Sequence, residues 1–466
     1  MISLLFYSCF WLLGLSPPDG SAADPVNFAH LRHLTETIPF SGDTVDIVHI
    51  YANYPAYEWV SAAESGPEGI ACVDDAARAA VLYLRYYELR EDPASLPHAR
   101  ALLKFVLKMQ ADNGEFYNFI FQDRSINRVG KTSYKSFGWW ASRALWSMAL
   151  GARVLRRPDP AFAETLRTAV RKSFPHVARL LKEYNGTRDI GGYEVSRWLL
   201  YESGADATSE LLLGLNEYLS VERDPSLNAV VRNLAEGLMT MQDGNVKTFP
   251  YGLHRSWETT WHMWGNAQTQ ALATVGRKLG EPSMIASAER EAIGWYTRLI
   301  IEGFLKEMDV RTPGKKVAFE QIAYGVRPMA VGLVRLHEAT GKPEYLAMAG
   351  LAVSWLFGNN ALNQPMYDSF TGRCLDGIRD SMSVNKNSGA ESTIEALLAI
   401  LEVGEYPQAK KYFHYRKTKQ GTTARYLYGV FSGEQGEELT LALDLKEGSV
   451  VLMEGRDSKA FLQQLH

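Results

Sequence analysis

Six segments rich in small and apolar residues recur along the chain at nearly equal intervals, and no other feature limits the fold so strongly. They begin near Asp74 (VDDAARAAVLYLRYYEL), Lys135 (KSFGWWASRALWSMALGARVL), Ala205 (ADATSELLLGLNEYLSV), Trp261 (WHMWGNAQTQALATVGRKLG), Gln321 (QIAYGVRPMAVGLVRLHEATG) and Gly389 (GAESTIEALLAILEV). Equivalent points at Asp75, Trp139, Ala207, Asn266, Arg327 and Ala390 lie 64, 68, 59, 61 and 63 residues apart. A fixed period of this kind marks repeated supersecondary units that bury their apolar faces against one another. Second helices with a more polar face lie between them, at 98–110, 160–184, 225–242, 281–304 and 342–357, joined by short connectors bearing Pro or Gly.

Six such hairpins, with inner helices apolar on every side and outer helices keeping a solvated stripe, predict an (α/α)6 toroid of the mainly α class. An open superhelical solenoid is the alternative, because periodicity alone does not close a ring. Near the C-terminus the period changes. Leu439, Leu441, Leu443 and Leu445 alternate with Thr440, Ala442 and Asp444, as in a strand, and 426–431 and 449–453 read as its companions. The expected division is a signal peptide at 1–23, a lead-in segment at 24–66 with a strand at 44–50, the toroid at 67–416 and a small β-rich appendage at 417–466.

The run from Ile2 to Leu15 has the length of a signal-peptide core and is short for a spanning helix. Ser21 and Ala23 supply the small residues of a cleavage site, although no Lys or Arg precedes the run. An exported protein (periplasmic, cell-surface or secreted), with no stable membrane insertion after cleavage, is the expectation. Hydrophobic residues at 46% and charged residues at 22% describe a globular chain. A formal net charge of −4 leaves no basic footprint for nucleic acid. Outside the leader only Cys72 and Cys374 occur, too few for a disulfide framework or a metal cluster. They precede the first and sixth inner helices in the same way, so ring closure makes them candidates for one bridge, with two buried free thiols as the alternative. Phosphate-loop, dinucleotide, zinc-protease and EF-hand spacings are absent, so no cofactor and no metal is implied. The sequence carries no signal for oligomeric state.

In a ring of hairpins the loops before the inner helices converge on one face. Trp59, Trp139, Trp140, Trp198, Trp257, Trp261 and Trp264 lie in or next to those loops, with Tyr324 and several other tyrosines. Rings with an apolar face and a polar handle suit sugars, although each alone is equally a packing residue. Asp74 and Asp75 open the first inner helix. Structurally, Asp74 is an N-cap and Asp75 a first-turn acid paired with Arg78; functionally, one of them orients or deprotonates a water. Glu391 opens the sixth inner helix, either completing a capping box with Ser388 or facing the Asp pair across a cleft. Two carboxylates across a cleft are what glycosidic hydrolysis needs. Asp376, Asn387 and His262 are further candidates on this face. Arg327 is a candidate for binding the carboxylate of an acidic sugar, with an ion pair to Asp or Glu as its alternative.

The pattern over about residues 60–416 resembles the six-hairpin glycosidase superfamily. The segments EGIACVDDAARAAVLYLR and YDSFTGRCLDGI with VNKNSGAESTIEALLA resemble a poorly characterised bacterial group within it, distantly similar to glycoside hydrolase family 9. The resemblance implies a general base at Asp74 or Asp75 and a general acid at Glu391, with inversion. The chain departs from family 9 in having adjacent acids instead of Asp-Ala-Gly-Asp, Ala390-Glu391 instead of Asn-Glu, and no His-x-Arg motif. The expected function is hydrolysis of a polysaccharide or oligosaccharide. A polysaccharide lyase using Tyr324 or His262 with Arg327, and a non-catalytic glycan-binding protein, are the alternatives.

Overall fold

The computed structural model describes residues 24–465. The expected signal peptide lies outside them. Inner helices run at Val73–Arg90, Trp139–Val154, Ala205–Tyr218, Gln268–Leu279, Val326–Thr340 and Ala390–Gly404. Each packs against the next, and the sixth packs against the first. That contact closes the ring, so the fold is an (α/α)6 toroid and not an open solenoid. The first inner helix is buried almost all round from Val73 to Leu84, which its alanines allow by letting neighbours approach from every side. Gly214 takes this furthest. A Cβ there would stand 2.7 Å from the backbone nitrogen of Trp146, so the second and third inner helices meet backbone to backbone.

Outer helices lie at Ser95–Lys108, Pro160–Lys172, Pro225–Thr240, Pro282–Glu291 and Glu344–Val353. In the first of them, Ala99, Leu102, Leu103, Phe105 and Val106 form the buried stripe. Asp159 and Asp224 cap the second and third by accepting from the backbone of Phe162 and Ser226, with proline at the first helical position of each. Three expectations are corrected. The helix expected at 160–184 breaks after Lys172, and Phe174–Leu180 restarts it with Pro175 in the first turn, where no donor is needed. The fourth and fifth inner helices start later than 261 and 321, because Thr260–His262 and Gln321–Ile322 are short strands leading into 3-10 turns. The sixth outer helix is a stub, Pro407–Lys410, while Ala29–Leu34 from the N-terminal segment packs against the sixth inner helix.

The appendage is a four-stranded antiparallel meander of Arg416–Thr422, Tyr426–Ser432, Glu438–Asp444 and Ser449–Glu454, followed by a helix at Gly455–Gln464. Its alternation has the expected meaning. Leu427, Phe431, Leu439, Leu441 and Leu443 join the main core, whereas Tyr428, Val430 and Ala442 form a separate cluster with Phe461 and Leu462 of the last helix. Cys72 and Cys374 are both buried free thiols, so the bridge considered between them is not formed. Among the described residues no helix is long and apolar enough to cross a membrane. The same residues contain no group of His, Cys, Asp and Glu that could hold a metal ion.

Candidate functional site

The N-cap of the first inner helix is Cys72, whose Sγ accepts from the Asp75 N–H at 3.5 Å. The capping role considered for Asp74 therefore falls to Cys72. Both acids sit in the first turn, where the positive end of the helix dipole favours carboxylates. Asp75 is 3% exposed. Its Oδ1 accepts from Arg78 Nη1 at 2.9 Å and its Oδ2 accepts from the Cys72 thiol at 3.3 Å. The Asp74 side chain is 19% exposed and pairs with Arg143 Nη1 at 2.8 Å. Glu391 lies in the first turn of the sixth inner helix, behind Gly389. No capping box forms there, since the Ser388 hydroxyl meets Thr393 Oγ1 instead.

Ring closure brings Glu391 to the same guanidinium as Asp75. Glu391 Oε1 is 2.7 Å from Arg78 Nη2, and its side chain is 45% exposed. Arg78 Nε is also 3.1 Å from Glu395 Oε1. Three carboxylates thus share one buried cation. Burial pushes Asp75 up to about 7, against the pull of Arg78 and with help from Glu391 and Asp74. Asp74 goes the other way: burial opposes its charge, but Arg143 and Arg78 outweigh burial and hold it below the usual carboxylate range. Asp376, which accepts from the Gly389 N–H at 2.8 Å, is raised to about 6 chiefly by burial, with Glu391 adding to it. Asn387 stands beside it, its Oδ1 accepting from the Tyr54 N–H.

Below this surface lies a layer that the sequence reading did not anticipate. Each inner helix contributes a long polar side chain from its first two turns: Arg78, Arg143, Glu210, Gln270, Arg327 and Glu395. All six are buried. Arg327 pairs with Glu395 Oε2 at 2.5 Å and Glu210 Oε1 at 3.0 Å, and donates to Gln270 Oε1 at 2.8 Å. Arg143 Nη2 donates to Tyr324 Oη at 2.6 Å, and Arg78 lies over the Tyr324 ring at 4.8 Å. Arg327 is 1% exposed and fully engaged, so it does not bind a substrate carboxylate; the ion-pair alternative is the observed one. The signal available in the sequence was a long charged or amide residue within the first two turns of every inner helix.

The aromatic candidates divide. Trp139 lies under the Arg143 guanidinium at 4.8 Å, Trp264 is 5.9 Å from Trp139, and His262 stacks on Trp264 at 3.6 Å. These three form one band beside the carboxylates. His262 Nε2 is 3.0 Å from Asp206 Oδ2, and its Nδ1 is buried with no partner among the described residues. Trp140 and Trp261 do not reach a cleft: Trp140 is buried and donates to the Phe116 carbonyl, and Trp261 is 0% exposed against Trp295. For both, the packing alternative holds. Trp257 is 46% exposed, on the tight turn at 257–260.

No protein-family model and no curated protein matches the chain by sequence. Solved structures match its shape. A sugar epimerase from a ruminal bacterium overlays with a TM-score of 0.54 at 10% identity, covering 77% of this chain and 92% of its own. Cellobiose 2-epimerase from Bacillus thermoamylovorans gives 0.53 at 11% identity, covering 76% and 92%. A D-mannose isomerase gives 0.53 at 10% identity, covering 77% and 90%. The chain therefore shares the (α/α)6 toroid fold of these sugar epimerase and isomerase structures.

Proposed function

We propose that the protein is an exported carbohydrate-active enzyme that hydrolyses a neutral oligosaccharide or polysaccharide at the front face. The observation that carries this reading is the Asp75–Arg78–Glu391 array. Two carboxyls meet one guanidinium, and Asp75, raised to about 7 by burial and by the neighbouring carboxylates, keeps a proton in the array up to near-neutral pH. Only Glu391 of the two reaches solvent, so it is the carboxyl placed to meet a leaving oxygen. Asp74, kept ionised by Arg143 and Arg78, is the partner suited to activating water. A neutral substrate follows from charge: the three guanidiniums of the polar layer are already paired with carboxylates. This also weighs against a lyase. The Tyr324 hydroxyl accepts from Arg143 and is pushed up by burial, so it is a poor base, and Arg327 is not free to neutralise a uronate. The apolar N-terminal run motivates export, which N-terminal sequencing of the secreted product tests.

A second reading, epimerisation or isomerisation of a sugar, is favoured by His262. Its Asp206-oriented ring offers an unpartnered Nδ1 beside Trp264, and the overlaid sugar epimerases and isomerase share the fold. A glycan panel assayed in D2O separates the two. Hydrolysis releases reducing ends without deuterium incorporation, and falls by about two to four orders of magnitude in Glu391→Gln and Asp74→Asn. Deuterium at C2 with no new reducing ends, lost in His262→Gln and kept in Glu391→Gln, would replace the lead reading with the second.

A further inference from the structure

The toroid has a second opening on its axis, at the end opposite the carboxylates. A cavity of about 320 Å³ lies there, lined from all six inner helices. The volume is at the low end of the range for small-molecule sites. Its wall residues come from later turns than the front acids do. Val81, Leu213, Val331 and Leu398 form an apolar collar, and Trp146 adds an aromatic surface. Arg327 and Gln270 form its inner end, so the Arg327–Glu395–Arg78 layer stands between this cavity and the front face.

The lining is charge-balanced. Arg85 and Arg335 both pair with Glu402, Arg335 also with Glu338, and Glu217 pairs with Arg153. No guanidinium is left over for an anion and no carboxylate for a cation. Polar groups are nevertheless presented. Asn216 Oδ1 is buried and has no hydrogen-bond partner among the described residues. Gln270, also in the lining, gives its Oε1 to Arg327. A buried, unpaired amide oxygen costs free energy that a ligand hydroxyl would recover. Apolar collar, aromatic wall and uncharged donors and acceptors together match one chemical class.

We propose that this cavity is a second ligand site, for a neutral polyhydroxylated molecule the size of a mono- or disaccharide. Sugar C–H faces pack against the collar and Trp146, and hydroxyls reach Asn216, Gln270 and Thr274. The test is saturation-transfer NMR and calorimetric titration of the full chain with glucose, mannose, N-acetylglucosamine and cellobiose. At least one sugar is expected to bind. Asn216→Leu, which removes the unpaired amide, and Thr274→Val, which is nearly isosteric, each weaken it by about tenfold or more. Trp264→Ala, in the front band, leaves that binding within about twofold. Unchanged thermal transitions of the unliganded variants show that they fold. Binding lost in Trp264→Ala but kept in both back-cavity variants, or no binding of any of the four sugars, would overturn the proposal.

Discussion

Arg78 meets Asp75, Glu391 and Glu395 at once, and counting protons around it links stability to chemistry. Burial raises Asp75 from the ordinary 3.8 of an unfolded chain to about 7 in the fold. The native state therefore binds more protons between those values, so this group makes stability fall as pH rises from about 4 to about 7. Asp75→Asn is expected to flatten that dependence, as denaturant melts at about pH 5 and pH 8 would read. Turnover is expected to fall as pH rises past about 7, where Asp75 loses its proton, whereas its acid limb lies below the ordinary carboxylate range because Asp74 is held down. Arg327 makes the complementary case. Arg327→Met strips Glu210 of its cation and leaves Glu395 with Arg78 alone, and is expected to cost about 3–5 kcal/mol by thermal or urea melts. The front acids were legible in the sequence as acids at the starts of the first and sixth inner helices, although capping and the helix dipole use the same residues. The Arg78 bridge was only half legible: the pairing with Asp75 follows from three-residue spacing, but Glu391 is a neighbour only through ring closure.

At the scale of elements, close helix approach outweighs helix propensity. Alanine is a better helix former than glycine by about 1 kcal/mol. At Gly214, however, a Cβ meets Trp146 N at 2.7 Å and Trp146 Cα at 2.9 Å, atoms that move only if a whole helix moves. Overpacking of this kind costs about 1–3 kcal/mol, so Gly214→Ala is expected to be destabilising on balance. A calorimetric midpoint equal to or above that of the parent chain would show that the second and third inner helices have room to part. Helix periodicity predicted this class of contact without locating it. Both the number of hairpins and the order of their helices were readable from spacing, since inner helices differ from outer ones in where their apolar residues fall. The outer member of the sixth was not, because it is only Pro407–Lys410 and Ala29–Leu34, far away in sequence, lies against the inner helix. No local pattern reports such a substitution.

For the whole molecule the question is whether the C-terminal sheet is an attachment or part of one cooperative unit. Its strands Tyr426–Ser432 and Glu438–Asp444 pack on the helix Thr297–Glu302, and the Lys417 ammonium donates to the Ile301 carbonyl. Leu427, Phe431, Leu439, Leu441 and Leu443 lie in the toroid's own core cluster and are each 5% exposed or less. Burying such side chains contributes about 1.5–3 kcal/mol each. Five of them together approach the whole net stability of a typical domain, about 5–15 kcal/mol. The sheet's other face closes on Phe461 and Leu462 and carries no toroid contact of that size. Two truncations should therefore behave differently. Ending the chain before the final helix at Gly455–Gln464 exposes only the small cluster and should lower the midpoint by a few degrees, with a single transition kept. Ending it before Arg416 uncovers the apolar surface around Thr297–Glu302 and should give an aggregating chain with no cooperative transition. A soluble chain ending at Tyr415 that melts sharply near the parent's midpoint would make the sheet an independent module, and its burial against the toroid energetically neutral.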